Sequence, residues 1–309
     1  MPRSNHGASM FSMSRRQLFA STASVLAGSI LDSAATEGRV IEGHLHRLTE
    51  PGNGDNRATF MPHGDTLLFA SNRSGKSQIW QIDRGGGSAS QFHKSTANDY
   101  GRIAPNSDGS RISFSSDRGD QNAVYVLDVA SGAVVPVSDP HFWSFGPSWS
   151  AHDLVAFFSK KGGNSLNVWV ARPDGSQARQ VTNQPGESRQ PWWSPDGDTL
   201  AISCDRGTEK FAIWLSQSDG SNARPITTGG NCAQPFWSPD GKRIAISAKF
   251  RERRSRIYIM NSDGSGRQPI HQPSGRDNVH PAWAPDGRTI VFTSGKGVGS
   301  SLYVFDEVL

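Results

Sequence analysis

Hydrophobic and polar positions alternate in short runs along this chain, and the runs return at a fixed interval. Arg243-Ile244-Ala245-Ile246-Ser247 and Thr289-Ile290-Val291-Phe292-Thr293 alternate with the period of two that marks a β-strand. Before each of these strands stands a sharp turn. The clearest turns are Trp193-Ser194-Pro195-Asp196-Gly197, Trp237-Ser238-Pro239-Asp240-Gly241 and Trp283-Ala284-Pro285-Asp286-Gly287. Proline presets φ there, aspartate can accept a backbone N–H, and glycine takes positive φ. Weaker copies end at Gly64, Gly109 and Asp153, so all six corners fall 44 to 46 residues apart. A second marker keeps the same step: Trp80, Tyr125, Trp169, Trp214, Tyr258 and Tyr303. A further turn (Ser218-Asp219-Gly220, Ser262-Asp263-Gly264) leads to a short strand carrying Phe92, Val137, Val181, Ile226 or Ile270.

Four strands per repeat, six times over, predict an all-β fold: a six-bladed β-propeller of four-stranded blades. The outer-strand marker steps back from Phe92 to Leu48 and forward from Ile270 past the last residue, 309. The segment His46-Arg47-Leu48-Thr49 is therefore expected to supply the fourth strand of the last blade, closing the ring and covering a sheet edge. One domain over 40–309 follows.

Composition agrees and narrows the classes. Only 35% of residues are hydrophobic and 19% charged, while Gly 33 and Pro 18 are abundant, which excludes a helical bundle or coiled coil. Nine Trp and fifteen Phe supply enough apolar area to exclude disorder. At the N-terminus, Ser14-Arg15-Arg16-Gln17-Leu18-Phe19 precedes an uncharged stretch, Ala20 to Leu31, and small residues Ser33-Ala34-Ala35. Residues 1–35 are expected to be an export signal of twin-arginine type, with Met13 as an alternative start. Without them the formal charge falls from +4 to about +2, too weak for a nucleic-acid-binding surface. No other apolar run is long enough to span a bilayer. Cys204 and Cys232 are expected to be buried free thiols.

The Trp-Ser-Pro-Asp-Gly units, with their Ile-Tyr or Ile-Trp strands and Asp-Gly turns, resemble the WD40-like (PD40) repeats of the TolB propeller. The resemblance covers nearly all of the chain after the signal and is best in the last three units. It implies a periplasmic protein of the Tol–Pal envelope system that binds a peptidoglycan-associated lipoprotein. The α/β domain that precedes the TolB propeller is not expected here, because the signal runs almost directly into Leu48.

Features present once per blade are read as structural, so candidate chemistry is sought where the blades differ. The loops between second and third strands, and those entering each inner strand, share one rim. In the first set (Asn72 to Gln78, Asp117 to Asn122, Lys160 to Ser165, Asp205 to Lys210, Lys249 to Arg256, Gly295 to Ser300), bases outnumber acids by about eight, so this rim is expected to be positive. Arg251, Arg253 and Arg254 are its densest part. The residues just before each inner strand, Arg57, Arg102, Gly146, Gln190, Gln234 and His280, are expected to ring the channel mouth, with Tyr100, Trp143 and Arg189 nearby. Within His141-Phe142-Trp143-Ser144-Phe145, Phe142 and Phe145 are expected to pack, and Trp143 to be the aromatic offered to a ligand.

No hydrolase elbow, His-Glu-x-x-His or P-loop occurs. His44 and His46 share a strand face, too little by themselves for a metal site. Neither a catalytic residue, a metal nor a cofactor is expected. The reading is a monomeric, non-enzymatic periplasmic binding protein for an envelope protein or lipoprotein segment or an acidic glycan, with no nucleic-acid partner. The alternative is a polysaccharide-active lyase or hydrolase, assembling His280 with Glu187, Asp99 and Asp277 around the channel.

Overall fold

The structure, a computed structural model, describes residues 40–306; the expected export signal lies outside the described residues. After an opening strand β1 (His44–Arg47), blade one comprises β2 (Asn56–Phe60), β3 (Thr66–Ser71), β4 (Gln78–Asp83) and β5 (Ser90–His93). Blade two follows as β6 (Asp99–Pro105), β7 (Arg111–Ser116), β8 (Ala123–Asp128) and β9 (Val134–Pro136). Blade three is β10 (Ser144–Trp149), β11 (Val155–Ser159), β12 (Asn167–Ala171) and β13 (Arg179–Gln180). Blade four is β14 (Ser188–Trp193), β15 (Thr199–Cys204), β16 (Ala212–Gln217) and β17 (Arg224–Pro225). Blade five is β18 (Asn231–Trp237), β19 (Arg243–Lys249), β20 (Arg256–Asn261) and β21 (Gln268–Pro269). Blade six has β22 (Asn278–Trp283), β23 (Ile290–Ser294) and β24 (Ser301–Asp306), and takes β1 as its outermost strand. Every sheet is an antiparallel meander, as the repeat predicts.

Closure falls where the repeat arithmetic puts it. Arg47 pairs with Tyr303 and His44 with Asp306, and the Leu48 N–H donates to the Leu302 carbonyl at 2.8 Å. One bridge is additional: Ile41 runs parallel to Ile270, its N–H on the Pro269 carbonyl at 2.9 Å. The chain start therefore holds blade five as well as blade six. Across the same seam, Arg84 of blade one reaches Asp286 at 2.6 Å and Asp306 at 3.2 Å.

The turns use the predicted chemistry. In blade four the Gly197 N–H bonds the Ser194 carbonyl at 2.9 Å, and Asp196 accepts the Asp198 N–H at 3.1 Å. Glycine has a second reason at the outer turn: a Cβ on Gly264 would lie 1.9 Å from the Ile226 carbonyl of blade four. The second strands are buried on both faces; Leu67, Leu68, Phe69 and Ala70 are at most 1% exposed. Each blade is sandwiched between two others, so both faces are core, and Ser or Ala fills the narrow positions. Burial on both sides makes each blade's stability depend on its neighbours. Cys204 and Cys232 are buried and free; desolvation pushes the Cys204 thiol up to about 11.

Candidate functional site

Each inner strand carries a bulge close to its start, where its register to the second strand shifts. At the bulge, Arg57, Gly101, Gly146, Gln190, Gln234 and His280 all take positive φ, between 54° and 80°. These conformations cost a non-glycine residue strain, and hydrogen bonds across blades hold four of the six. The Arg57 N–H donates to Thr293 Oγ1 at 3.0 Å, Gly146 to Ser115 Oγ at 3.2 Å, and His280 to Gln234 Oε1 at 2.9 Å. Gln190 Oε1 accepts from the Gln234 N–H at 3.1 Å. Gln190 and Gln234 thus brace the ring through their amide oxygens. The in-register member of blade two is Gly101, not Arg102 as the spacing suggested. Tyr100 pairs with Ser115 and Ala104 with Ser113, so that bulge holds one residue more than the others, and Arg102 is the extra one.

Two of these residues, Arg57 and His280, join Arg102 in bringing basic nitrogen into the channel. Arg57, Arg102 and His280 act on one another electrostatically, and no described carboxylate offsets them. Burial, then repulsion from Arg57, brings the Arg102 guanidinium down to about 9. Burial, then the two arginines, holds His280 well below its usual 6.5, so its imidazole is neutral at neutral pH. Arg57 is lowered by burial as well, and its Nη1 donates to Asn56 Oδ1 at 2.9 Å. Arg102 Nη1 and His280 Nδ1 are buried with no hydrogen-bond partner among the described residues. Aromatic rings lie against the guanidiniums: Arg102 is 4.6 Å from the Trp192 ring centre and Arg57 is 5.7 Å from that of Phe145. Trp192 in turn stacks on Phe236 at 3.9 Å. Sequence reading missed Trp192, whose only signal was that it doubles the recurrent tryptophan of its corner.

The other expected site residues fall into two groups. Tyr100 and Trp143 pack around Phe145, with ring centres 5.8 and 5.7 Å away. Trp143 also meets Phe158 and is half-buried, while Phe142 is exposed, with Lys161 6.0 Å from its ring centre. The order expected for Phe142 and Trp143 is thus inverted: Trp143, next to β10, is drawn into the blade cluster, and Phe142 sits on the loop tip. Arg189 pairs with Glu187 and lies 5.1 Å from the Phe211 ring centre. Arg251, Arg253 and Arg254 are exposed between β19 and β20, outside the ring of inner strands.

The positive charge of the rim is partly offset. Counting loops between second and third strands left out the carboxylates that enter the inner strands. Asp55 takes Arg73 at 2.8 Å, Asp99 takes Arg118 at 2.8 Å, and Asp139 takes Lys161 at 3.4 Å. Asp277 gathers Lys296, Arg254 and Lys249 at 3.2, 3.4 and 3.8 Å. The rim cations also have a repeated scaffold task. Arg73, Arg118, Lys161 and Arg206 cover the strand aromatics Trp80, Tyr125, Trp169 and Trp214 at 4.9, 5.0, 5.7 and 4.0 Å. In blade five Phe250 meets Tyr258 in their place. Asp99, Asp277 and Glu187, the carboxylates of the enzymatic alternative, are all engaged in these loop pairs.

On the opposite face, the corner residues of all six blades line a funnel of about 350 Å³, including Phe60, Trp149, Trp193, Trp237 and Trp283. Among the described residues no helix is long and apolar enough to cross a membrane.

Comparison with known proteins agrees with this architecture. Residues 102–249 match the PD40 family, described as the TolB beta propeller domain. A TolB homolog of Chlorobium luteolum is 30% identical over 139 residues, 45% of this chain and 31% of its own length. The chain thus matches less than a third of that relative. Among solved structures, TolB from Acinetobacter baumannii superposes with a TM-score of 0.62 at 17% identity, over 84% of this chain and 65% of that one. An oligogalacturonate lyase in complex with manganese superposes at 0.59 and 16% identity, over 86% and 93%. At such identities the likeness is one of fold. Repeats, ring closure and these similarities together make the described chain a six-bladed β-propeller of TolB-like fold, in which residues 102–249 match the PD40 family.

Proposed function

We propose that this propeller is a periplasmic binding module that takes an anionic group of its partner into the channel mouth. The partner would be an envelope protein segment, as the name of the Tol-Pal system protein TolB of Nitratidesulfovibrio vulgaris suggests by likeness, or an acidic glycan. One observation carries the reading: Arg57, Arg102 and His280 converge in the channel without a carboxylate. Charges of like sign are not left together in an enclosed space without a return, and such clusters mark functional sites. Two guanidiniums and an imidazole N–H offer the donors that a planar carboxylate or a phosphate accepts, while Trp192 and Phe145 supply apolar walls. The rim, with several of its cations already paired, would steer the partner rather than grip it.

Binding of a soluble peptidoglycan-associated lipoprotein domain and of oligogalacturonate, each measured by calorimetry, tests the proposal. At least one is expected to bind, more weakly at higher salt, and to lose tenfold or more in the Arg57→Gln/Arg102→Gln variant. Binding unchanged in that variant would sink the channel reading. Turnover of the oligosaccharide, lost in His280→Ala, would instead make the propeller an enzyme.

A further inference from the structure

The seam where the chain start meets its end holds a second constellation, far in sequence from the channel residues. His44 and His46 stand two apart on β1 and so project from the same face, while Leu45 between them joins the core. Asp306, on the neighbouring strand β24, lies directly opposite His44 in register. One ligand atom from each of the three falls within 4.8 Å of the others. His46 Nδ1 is 3.7 Å and His44 Nδ1 4.0 Å from the same oxygen, Oδ2 of Asp306. His46 Nδ1 is also buried, with no hydrogen-bond partner among the described residues.

The carboxylate is presented by its surroundings. Thr289 Oγ1 donates to Asp306 Oδ1 at 2.8 Å, and Arg84 Nη2 reaches the same oxygen at 3.2 Å. Both donors occupy Oδ1, which leaves Oδ2 turned to the imidazoles. Metal-binding carboxylates are commonly held in this way by groups behind them. Arg84 brings a positive charge close by, but its other nitrogen is 2.6 Å from Asp286. The adjoining cavity is lined by Asp65, Asp83 and Asp286 as well as Asp306, against Arg84 and Arg288, so acids exceed bases there.

We propose that His44, His46 and Asp306 form a binding site for a divalent transition cation of the Zn²⁺ type, which clasps β1 to β24. Two imidazole nitrogens and one carboxylate oxygen are a donor set suited to Zn²⁺, with a water completing the tetrahedron. Donors about 2.1 Å from such an ion lie about 3.4 Å from one another. His46 is a few tenths of an ångström from that spacing, and His44, 73% exposed, is free to turn toward it. Because the ligands come from the first and last described strands, the site exists only in the closed ring. The cation therefore binds the folded chain and not the unfolded one, and stabilises closure.

The test uses the tag-free chain stripped with chelator. Zn²⁺ is expected to bind one to one and, at a hundredfold excess over its dissociation constant, to raise the melting temperature by about 5 °C. Co²⁺ in its place is expected to give the visible absorption of a four-coordinate nitrogen and oxygen site. His44→Ala, at an exposed position that leaves the fold intact, should weaken binding tenfold or more, and His44→Ala/His46→Ala should abolish the melting shift. No binding by the wild type, or an equal shift in the double variant, would overturn the proposal. Neither result bears on the channel, because Arg57→Gln/Arg102→Gln is expected to keep the full metal response.

Discussion

The guanidinium carbon of Arg102 lies 4.6 Å from the centre of the Trp192 ring, reaching from blade two to blade four. It is the contact of an arginine with no acidic partner, whose neighbours are Arg57 and a neutral His280. Removing this cation should stabilise the protein. Arg102→Gln is expected to gain about 1–2 kcal/mol at pH 7 in low salt while losing anion affinity. Arg102 is brought down to about 9 in the fold, well below its value in the unfolded chain, so the penalty is complete below pH 9 and fades as pH rises above it. The variant's advantage should shrink over that range, and denaturant titrations at pH 7 and pH 10 measure it.

His280 gives a pH dependence of its own. Its folded value is well below 6.5, so the unfolded chain binds a proton first as pH falls. Stability from this group is therefore present above about pH 6.5 and is lost below it, at up to 1.4 kcal/mol per pH unit. His280→Gln should flatten the stability profile between pH 6.5 and 5, as thermal melts across that interval would record.

Arg73 tests whether rim cations belong to the scaffold. It pairs with the buried Asp55 at 2.8 Å and covers Trp80 at 4.9 Å. Arg73→Met leaves a carboxylate buried without its partner and is expected to cost about 3 kcal/mol. Adding Asp55→Asn should recover part of that loss. Ligand affinity should stay within twofold in both variants; a tenfold fall would return the rim to the binding site.

Removing residues up to Arg47 uncovers β24. The edge strand Ser301–Asp306 would then present unpaired backbone groups. The shortened chain is expected to melt at least 10 °C lower and to self-associate, which light scattering during size-exclusion chromatography would detect.

The blade count, the turns and the seam were legible because each is a repeated or repeat-derived feature: Trp193, Trp237 and Trp283 mark equivalent places. The candidate site was legible only in outline. Arg57 and His280 were found by register, but the extra residue in the bulge of blade two moved Arg102 off its expected place. Spacing alone cannot reveal such a bulge, since the following loop absorbs the added residue. Rim charge was misjudged because Asp55 and Arg73 are 18 residues apart and meet only through the fold. The proposed metal ligands were half visible: His44 and His46 stand two apart in the sequence, whereas Asp306 joins them only once the ring has closed.

The pairing of Arg47 with Tyr303 also sets an order of events. The strand made first has no partner until the last blade has been synthesised, so no intermediate length of nascent chain can seal the circle. Contacts over so great a sequence separation are slow to form, and every partly made chain keeps an open flank until then. A nascent chain would be a horseshoe, and it becomes a disc only once β24 can take β1 as its partner.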